Sequence, residues 1–219
     1  MMIDKFDAAI FDMDGTIMDS LGIWEKIDYE FLEKKRGIKV PEDYVHAIAA
    51  MSFAEIANYT KTRFNLSDTP EQLMQEWTDM AIQEYAHNIL LKPYVREYMS
   101  YLRQHGKKIA LCTSSPEYFF KPALRSNGIY DWFDAFANTC EAGVGKNFPD
   151  VYVLAAKKVG VSAERCMAFE DVITAALSAK TAGMLVCGVY DERSSKYTSQ
   201  LKEACDMYIN GFDELLEEK

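Results

Sequence analysis

Residues 6–16 read Phe-Asp-Ala-Ala-Ile-Phe-Asp-Met-Asp-Gly-Thr, and this stretch decides the fold. Residues 6–11 are short and mostly apolar, which is typical of a buried strand. Asp12 and Asp14 follow at its end, so two carboxylates spaced two residues apart can point into one site. Gly15 permits a sharp turn that brings backbone N–H groups close to a ligand. The stretch therefore predicts a site for magnesium and phosphate rather than an ordinary surface turn.

The composition limits the classes of partner. Apolar residues make up 49% of the 219 positions, which is enough for one large domain or for a core domain with a smaller insert. Acidic residues outnumber basic ones by 34 to 24, and the net charge of −10 argues against a nucleic-acid partner. The chain has no apolar run approaching the ~18 residues of a membrane span. Acidic residues near the start are unlike a signal peptide, so we expect no membrane partner.

The five cysteines show no Cys-x-x-Cys spacing, and three of them fall in strand-like runs. An odd number of scattered, buried cysteines is typical of reduced thiols. We therefore expect a cytoplasmic protein, present as a monomer or a weak dimer.

Residues 17–88 contain no convincing strand and are predicted to form a helical insert. Apolar residues recur at helical spacing through residues 21–36. Further helix starts are indicated at three points: Pro41, the capping-box-like Ser52-Phe53-Ala54-Glu55, and Pro70. The predicted domains are thus a four-helix insert at 17–88 and a core formed by residues 1–16 and 89–219.

From residue 93 onward, helix-like and strand-like segments alternate. The predicted strands after the first are residues 108–113, 133–138, 165–169, 184–189 and 206–209, with a terminal helix after the last. This alternation predicts an α/β fold with a doubly wound parallel sheet. Ligands of such sheets bind at the carboxyl ends of the strands, where Asp12, Thr113 and Asp171 are expected.

Three further motifs stand at predicted strand ends or helix starts. Thr113-Ser114-Ser115 offers hydroxyl and N–H groups to a phosphate, although serine is also an ordinary helix cap. Gly145-Lys146 offers a cation, although a surface lysine is the commoner case. Glu170-Asp171 offers oxygen ligands to a hard cation, although capping of the next helix is an equal alternative.

In their order and spacing, the four motifs resemble those of the haloacid dehalogenase-like superfamily. The resemblance spans roughly residues 5–213, and the helical insert resembles the four-helix cap of the beta-phosphoglucomutase and phosphatase branch. It implies a Rossmannoid core with a cap and an enzyme that uses Mg²⁺ to transfer a phosphoryl group from a small phosphorylated metabolite.

The resemblance also implies a role for each motif. Asp12 resembles the nucleophile that forms an aspartyl-phosphate, and Asp14 resembles the general acid/base. Thr113, Ser114 and Lys146 resemble the groups that hold the phosphoryl group. The implied Mg²⁺ ligands are Asp12, the backbone carbonyl of Asp14, and Asp171, with Glu170 nearby.

Several positions depart from the pattern of the relatives. The last motif continues Val172-Ile173-Thr174-Ala175, without the usual serine and glycine, and Asn147 replaces a proline. Where the mutases carry a histidine and then a cationic stretch in the cap, this chain has Trp24 and Ala49-Ala50-Met51-Ser52-Phe53. Trp24 and Phe53 are expected either in the core of the cap or against an apolar part of the substrate.

We therefore expect a Mg²⁺-dependent phosphatase, with a sugar-phosphate mutase as the alternative. Phosphonoacetaldehyde hydrolysis would require a lysine in the cap, and Lys26 keeps that alternative open. True haloacid dehalogenases lack the second aspartate, so the presence of Asp14 argues against that activity. A non-catalytic phosphate-binding module is the alternative from a different class. It is disfavoured because Asp12, Asp14 and Lys146 are all present.

Overall fold

The computed structural model describes residues 2–48, 51 and 53–216. Its contacts divide the chain into two compact units. We call Met1–Leu21 with Ile89–Lys219 the core unit, and Gly22–Asn88 the insert unit. Among the described residues, no helix is both long enough and apolar enough to cross a lipid bilayer.

The core unit is built on a six-stranded sheet in which every neighbouring pair is parallel. Its strands, in chain order, are β1 (Ala8–Phe11), β2 (Lys108–Thr113), β3 (Ala135–Asn138), β4 (Cys166–Glu170), β5 (Leu185–Val189) and β6 (Met207–Ile209). The spatial order is β3-β2-β1-β4-β5-β6, so the chain winds outward from β1 in both directions. This order confirms the predicted doubly wound α/β fold.

Four α-helices form the described part of the insert unit: α1 (Ile23–Tyr29), α2 (Glu42–Ile48), α3 (Phe53–Phe64) and α4 (Pro70–His87). A π-helical stretch, Glu30–Lys34, continues α1. Thr69 caps α4 in a capping box with Gln72, and Pro70 occupies the first turn, where its missing N–H costs nothing. Ala49, Ala50 and Ser52, which entered the argument against a mutase, lie outside the described residues.

The core-unit helices are α5 (Val95–Gln104), α6 (Glu117–Ser126), the short α7 (Thr139–Ala142), α8 (Asp150–Val159), α9 (Ile173–Thr181) and α10 (Thr198–Ala204). Apolar side chains, among them Ala8 and Ile10, pack on one face of the sheet. On the opposite face, the rings of Phe11 and Phe169 stack with centroids 4.6 Å apart. Burial on both faces explains why these strands read as continuous apolar runs.

Two local predictions were wrong. The predicted terminal helix is a 3-10 turn, Phe212–Leu215, in the part of the C-terminus that the structure describes. Helix α10 was missed because its sequence buries Leu201 and otherwise lacks an apolar stripe. Such a helix is stabilised by tertiary contacts with its neighbours, which a local sequence pattern does not show.

Within the core unit, the segments that lead into and out of the insert pair with each other. Met18 and Leu91 form an antiparallel bridge. The Asp19 N–H donates to the Leu90 carbonyl at 3.1 Å, and the Lys92 N–H donates to the Ile17 carbonyl at 2.9 Å. We call residues 17–19 and 90–92 the two-stranded ribbon.

Candidate active site

Asp12 stands at the carboxyl end of the central strand. The register pairs Phe11 with Leu111 of β2 and with Phe169 of β4, so Asp12 extends β1 between these neighbours. Its N–H donates to the Phe169 carbonyl at 3.1 Å, and 8% of its surface is exposed. The sheet therefore fixes the Asp12 backbone and places its carboxylate in a mostly buried position.

Lys146 joins two of the buried carboxylates. Its Nζ donates to Asp12 Oδ1 at 2.5 Å and to Glu170 Oε1 at 2.6 Å. The buried Tyr152 hydroxyl also donates to Glu170 Oε1, at 2.5 Å. Burial alone would lower the pKa of Lys146, but the carboxylates of Asp12 and Glu170 raise it. The side chain therefore stays protonated.

Asp171 lies under the turn at Gly15. Thr16 Oγ1 donates to Asp171 Oδ1 at 3.1 Å, whereas Oδ2 is buried without a hydrogen-bond partner. Gly15 has φ +81°, and a Cβ at this position would lie 2.7 Å from Asp171 Oδ2. The turn thus requires glycine at position 15 for two reasons. Its backbone is left-handed, and the Asp171 carboxylate approaches it closely.

Carboxylate oxygens of Asp12, Glu170 and Asp171 all lie within 4.8 Å of one another. Burial raises the pKa of Asp12, raises that of Glu170 to about 8 and raises that of Asp171 to about 7, and the neighbouring Asp12 charge adds to the last two effects. Three crowded acidic groups with a buried oxygen left unpaired are a donor set that suits a hard divalent cation.

Asp14 is held by two hydroxyl groups of the core unit. Ser20 Oγ donates to Asp14 Oδ1 at 2.6 Å, and Ser115 Oγ donates to Oδ2 at 2.7 Å. In the described part of the chain, its carboxylate is not a member of the three-carboxylate cluster. Ser115 belongs to the motif that follows β2, so these bonds link the first and second motifs.

Thr113 and Ser114 occupy the end of β2. Thr113 is fully buried, and its Oγ1 accepts a hydrogen bond from the Ser115 N–H at 3.0 Å. Ser114 is exposed, and its carbonyl accepts from Thr139 Oγ1 at 3.4 Å. The structure therefore brings Asp14 and the second motif together through Ser115, with the threonine inside and Ser114 at the surface.

Lys92 and Tyr152 are site residues that sequence reasoning missed. Lys92 Nζ donates to the Gly15 carbonyl and to the Tyr190 carbonyl, and pairs with the nearly buried Asp191 at 2.8 Å. It therefore anchors the turn that carries Asp14. The sequence holds no local signal for either residue, because both contacts join distant segments.

Trp24 and Phe53 belong to the insert unit, where their ring centroids are 5.7 Å apart. Both side chains are partly exposed, at 41% and 38%. Lys26, which left room for Schiff-base chemistry, forms an ion pair with Glu84 at 2.6 Å. This contact joins Lys26 on α1 to Glu84 on α4 within the insert unit.

A family model described as haloacid dehalogenase-like hydrolase matches residues 6–183. Beta-phosphoglucomutase of Bacillus subtilis is 30% identical over 196 residues, covering 83% of this chain and 82% of that protein. Hexitol phosphatase B of Escherichia coli is 25% identical over 189 residues, covering 81% and 80%.

Among solved structures, a family IA HAD hydrolase of Entamoeba histolytica superposes with a TM-score of 0.74 at 22% identity, covering 95% of both chains. This structural likeness supports the fold alone, whereas the family model covers most of the sequence. On that match, and on the four motifs gathered at the strand ends, the chain belongs to the haloacid dehalogenase-like hydrolases.

Proposed function

We propose that this protein is a Mg²⁺-dependent phosphatase that hydrolyses a small phosphorylated metabolite through an aspartyl-phosphate. The observation that carries the proposal is the contact of Asp12 with Lys146 at 2.5 Å, beside a cluster of three carboxylates at the carboxyl end of the sheet. A buried carboxylate next to an ammonium is suited to attack a phosphorus atom, because the ammonium offsets the repulsion between two anions.

In the first step, a carboxylate oxygen of Asp12 forms a bond to phosphorus and the ester P–O bond breaks. Asp14 gives a proton to the departing alcohol oxygen. In the second step, Asp14 takes a proton from water, and the resulting oxygen attacks the same phosphorus. The bond between phosphorus and Asp12 then breaks, which releases inorganic phosphate and restores both aspartates.

The other motif residues bind and orient the phosphoryl group. Thr113 offers its hydroxyl, Ser114 its N–H group, and Lys146 its charge. The hydrogen bonds from Ser20 and Ser115 fix the orientation of the Asp14 carboxyl group, which favours proton transfer in a defined geometry.

The residues at the strand ends fit a magnesium ion. Asp12, Asp171 and the backbone carbonyl of Asp14 would hold it, with Glu170 nearby. The unpaired Asp171 Oδ2 is the buried oxygen that such an ion would satisfy. When bound, Mg²⁺ supplies positive charge against the carboxylates and the phosphate dianion.

The first experiment is a phosphate-release screen over phosphorylated metabolites, with and without Mg²⁺. The relatives named hexitol phosphatase B and beta-phosphoglucomutase place esters of sugar alcohols and sugars first in the panel. Asp14→Asn should retain more of the first step than of the second with an activated aryl phosphate, because a leaving group of low pKa needs less protonation. Mass spectrometry should then detect phosphorylated Asp12 in that variant, and its absence together with absent phosphate release would refute the proposal.

A sugar-phosphate mutase is the second candidate, because the Bacillus beta-phosphoglucomutase is 30% identical to this chain. The test is conversion of beta-glucose 1-phosphate to glucose 6-phosphate with the bisphosphate primer supplied. We expect at most trace conversion, because Trp24 replaces the histidine and Phe53 ends an apolar stretch where the mutases carry cations. Turnover above ~1 per second would reverse this ranking.

We further propose that residues 17–88 act as the helical cap, and that the protein is a cytoplasmic monomer or weak dimer. The free cysteines support a reducing compartment. Light scattering at micromolar concentration measures the oligomeric state.

A further inference from the structure

The insert unit contains a partly open cavity of about 230 Å³ to which its helices α1, α2, α3 and α4 contribute. Three aromatic residues, Trp24, Phe53 and Trp77, line it together with three isoleucines and Asp28. This volume lies below the usual range for drug-sized ligands, so the cavity suits a small group.

The three rings stand at steep angles to one another. The Trp24 and Phe53 rings have centroids 5.7 Å apart and an interplanar angle of 64°, and the Phe53 and Trp77 rings have 5.7 Å and 56°. The rings therefore pack against one another, and all three residues line the same pocket. Aromatic rings attract organic cations, so a cation held in this pocket would gain from them.

Asp28 is the acidic residue of this lining in the part of the chain that the structure describes. Among the described residues, the structure gives it neither a hydrogen bond nor an ion pair. Among the residues that the structure describes, Glu25 on its own helix and Tyr44 on α2 interact electrostatically with it. The nearby Lys26 is paired with Glu84 instead. Burial and the Glu25 charge raise the pKa of Asp28 to about 7, as expected for a carboxyl group in a largely apolar lining.

The chemistry of the lining selects among ligand classes. An anion would be repelled by Asp28 and Glu25. A polyol would lose the hydration of several hydroxyl groups against a wall that is otherwise apolar. A hydrocarbon would bury the carboxyl group further without compensation. An alkylated ammonium ion satisfies the carboxylate and the rings together.

We propose that the insert-unit cavity binds a small organic ammonium group, seated among Trp24, Phe53 and Trp77 with Asp28 as its counter-ion. The group is either a free amine or the ammonium end of a phosphate ester. The proposal does not depend on the phosphatase assignment, because binding can be measured without any phosphate compound.

The test is a titration of the full chain with choline, followed by calorimetry and by tryptophan fluorescence, against 3,3-dimethylbutan-1-ol as the uncharged compound of the same shape. We expect saturable binding of choline and at least tenfold weaker binding of the neutral alcohol. Asp28→Asn should weaken choline binding at least tenfold, and Trp24→Leu should weaken it with Asp28 still in place. Asp79→Asn, an exposed aspartate on α4, should bind like the wild type.

Equal affinity for the neutral alcohol, unchanged binding by Asp28→Asn, or no saturable choline binding would overturn the proposal. Circular dichroism of both cavity variants checks that they are folded. A second comparison separates the two sources of the ligand, with phosphocholine and the phosphate ester of 3,3-dimethylbutan-1-ol as substrates. A preference for phosphocholine that Asp28→Asn abolishes identifies the substrate itself, whereas choline binding without this preference identifies a free amine.

Discussion

Two regions of the molecule bury acidic side chains, and they do so in different surroundings. In the core unit, Asp12, Glu170 and Asp171 lie together, Lys146 binds the first two, and hydroxyl groups donate to Glu170 and Asp171. In the insert unit, Asp28 lies among aromatic and aliphatic side chains. Oxygen atoms in a cluster suit a small, hard cation, whereas one carboxylate among π-faces suits a large, soft one. Burial raises the pKa of Asp171 and of Asp28, so a bound cation would stabilise the charged form of either carboxylate, but the surroundings select different cations.

The largest expected effect is on phosphate release, and it should leave ligand binding by the insert unit unchanged. Asp12→Asn removes the proposed nucleophile, so we expect phosphate release to fall by at least ~10³-fold in kcat. Choline affinity should not change, because Asp12 belongs to the core unit. Asp131→Asn, an exposed aspartate, is the matched control for activity. Near-normal turnover of Asp12→Asn would contradict the covalent mechanism.

Metal removal should affect the core unit. An excess of EDTA should abolish phosphate release, and added Mg²⁺ should restore it. Asp171→Asn should raise the Mg²⁺ concentration for half-maximal activity by at least ~10-fold, because it removes an anionic oxygen that has no other partner. Full activity in chelator would show that the carboxylate cluster has a structural role.

A pair of glycine variants tests whether the Gly15 turn shapes that cluster. Gly15→Ala and Gly106→Ala both place a side chain at positive φ, +81° and +69°, and each should cost about 1 kcal/mol of unfolding free energy. The added Cβ meets Asp171 at Gly15, whereas at Gly106 nothing lies within 4 Å. Denaturant unfolding should therefore show a larger loss for Gly15→Ala, and Mg²⁺ titration should show weaker activation for that variant alone. Equal effects of the two variants would exclude a shaping role for the turn.

The last expected effect concerns the stability of the insert unit and leaves catalysis unchanged. An unfolded aspartate titrates near pH ~4, whereas Asp28 in the folded protein has a pKa of about 7. Between these values, the folded protein holds a proton that the unfolded chain has lost, so the free energy of unfolding falls as pH rises from about 4 to 7. Asp28→Asn should remove this loss. We expect the free energy of unfolding to rise by about 2 kcal/mol at pH 8, a value reduced to allow for the partial exposure of Asp28. Urea unfolding of both proteins at pH 4 and pH 8 measures the difference, and a gain of equal size at both values would assign it to packing.

The sequence was sufficient for features that are local in the chain. The strand before Asp12, the turn at Gly15 and the acidic pair at the end of β4 each depend on a few neighbouring residues, and the alternation of segments determined the sheet class. The bond between Tyr152 and Glu170 spans 18 residues, and that between Lys92 and Gly15 spans 77, so tertiary packing alone creates them. Asp28 follows Ile27 on a helix with nothing nearby to show that it faces an apolar cavity.

The two-stranded ribbon of residues 17–19 and 90–92 has a consequence for how such a protein can diversify. Because the ribbon holds the two connections side by side, the 67 positions of Gly22–Asn88 leave and rejoin the chain at neighbouring points. The entropic cost of closing a loop depends only weakly on its length, so a segment of different length could replace these residues at little cost. The insert can therefore be exchanged as a module without redesigning the sheet.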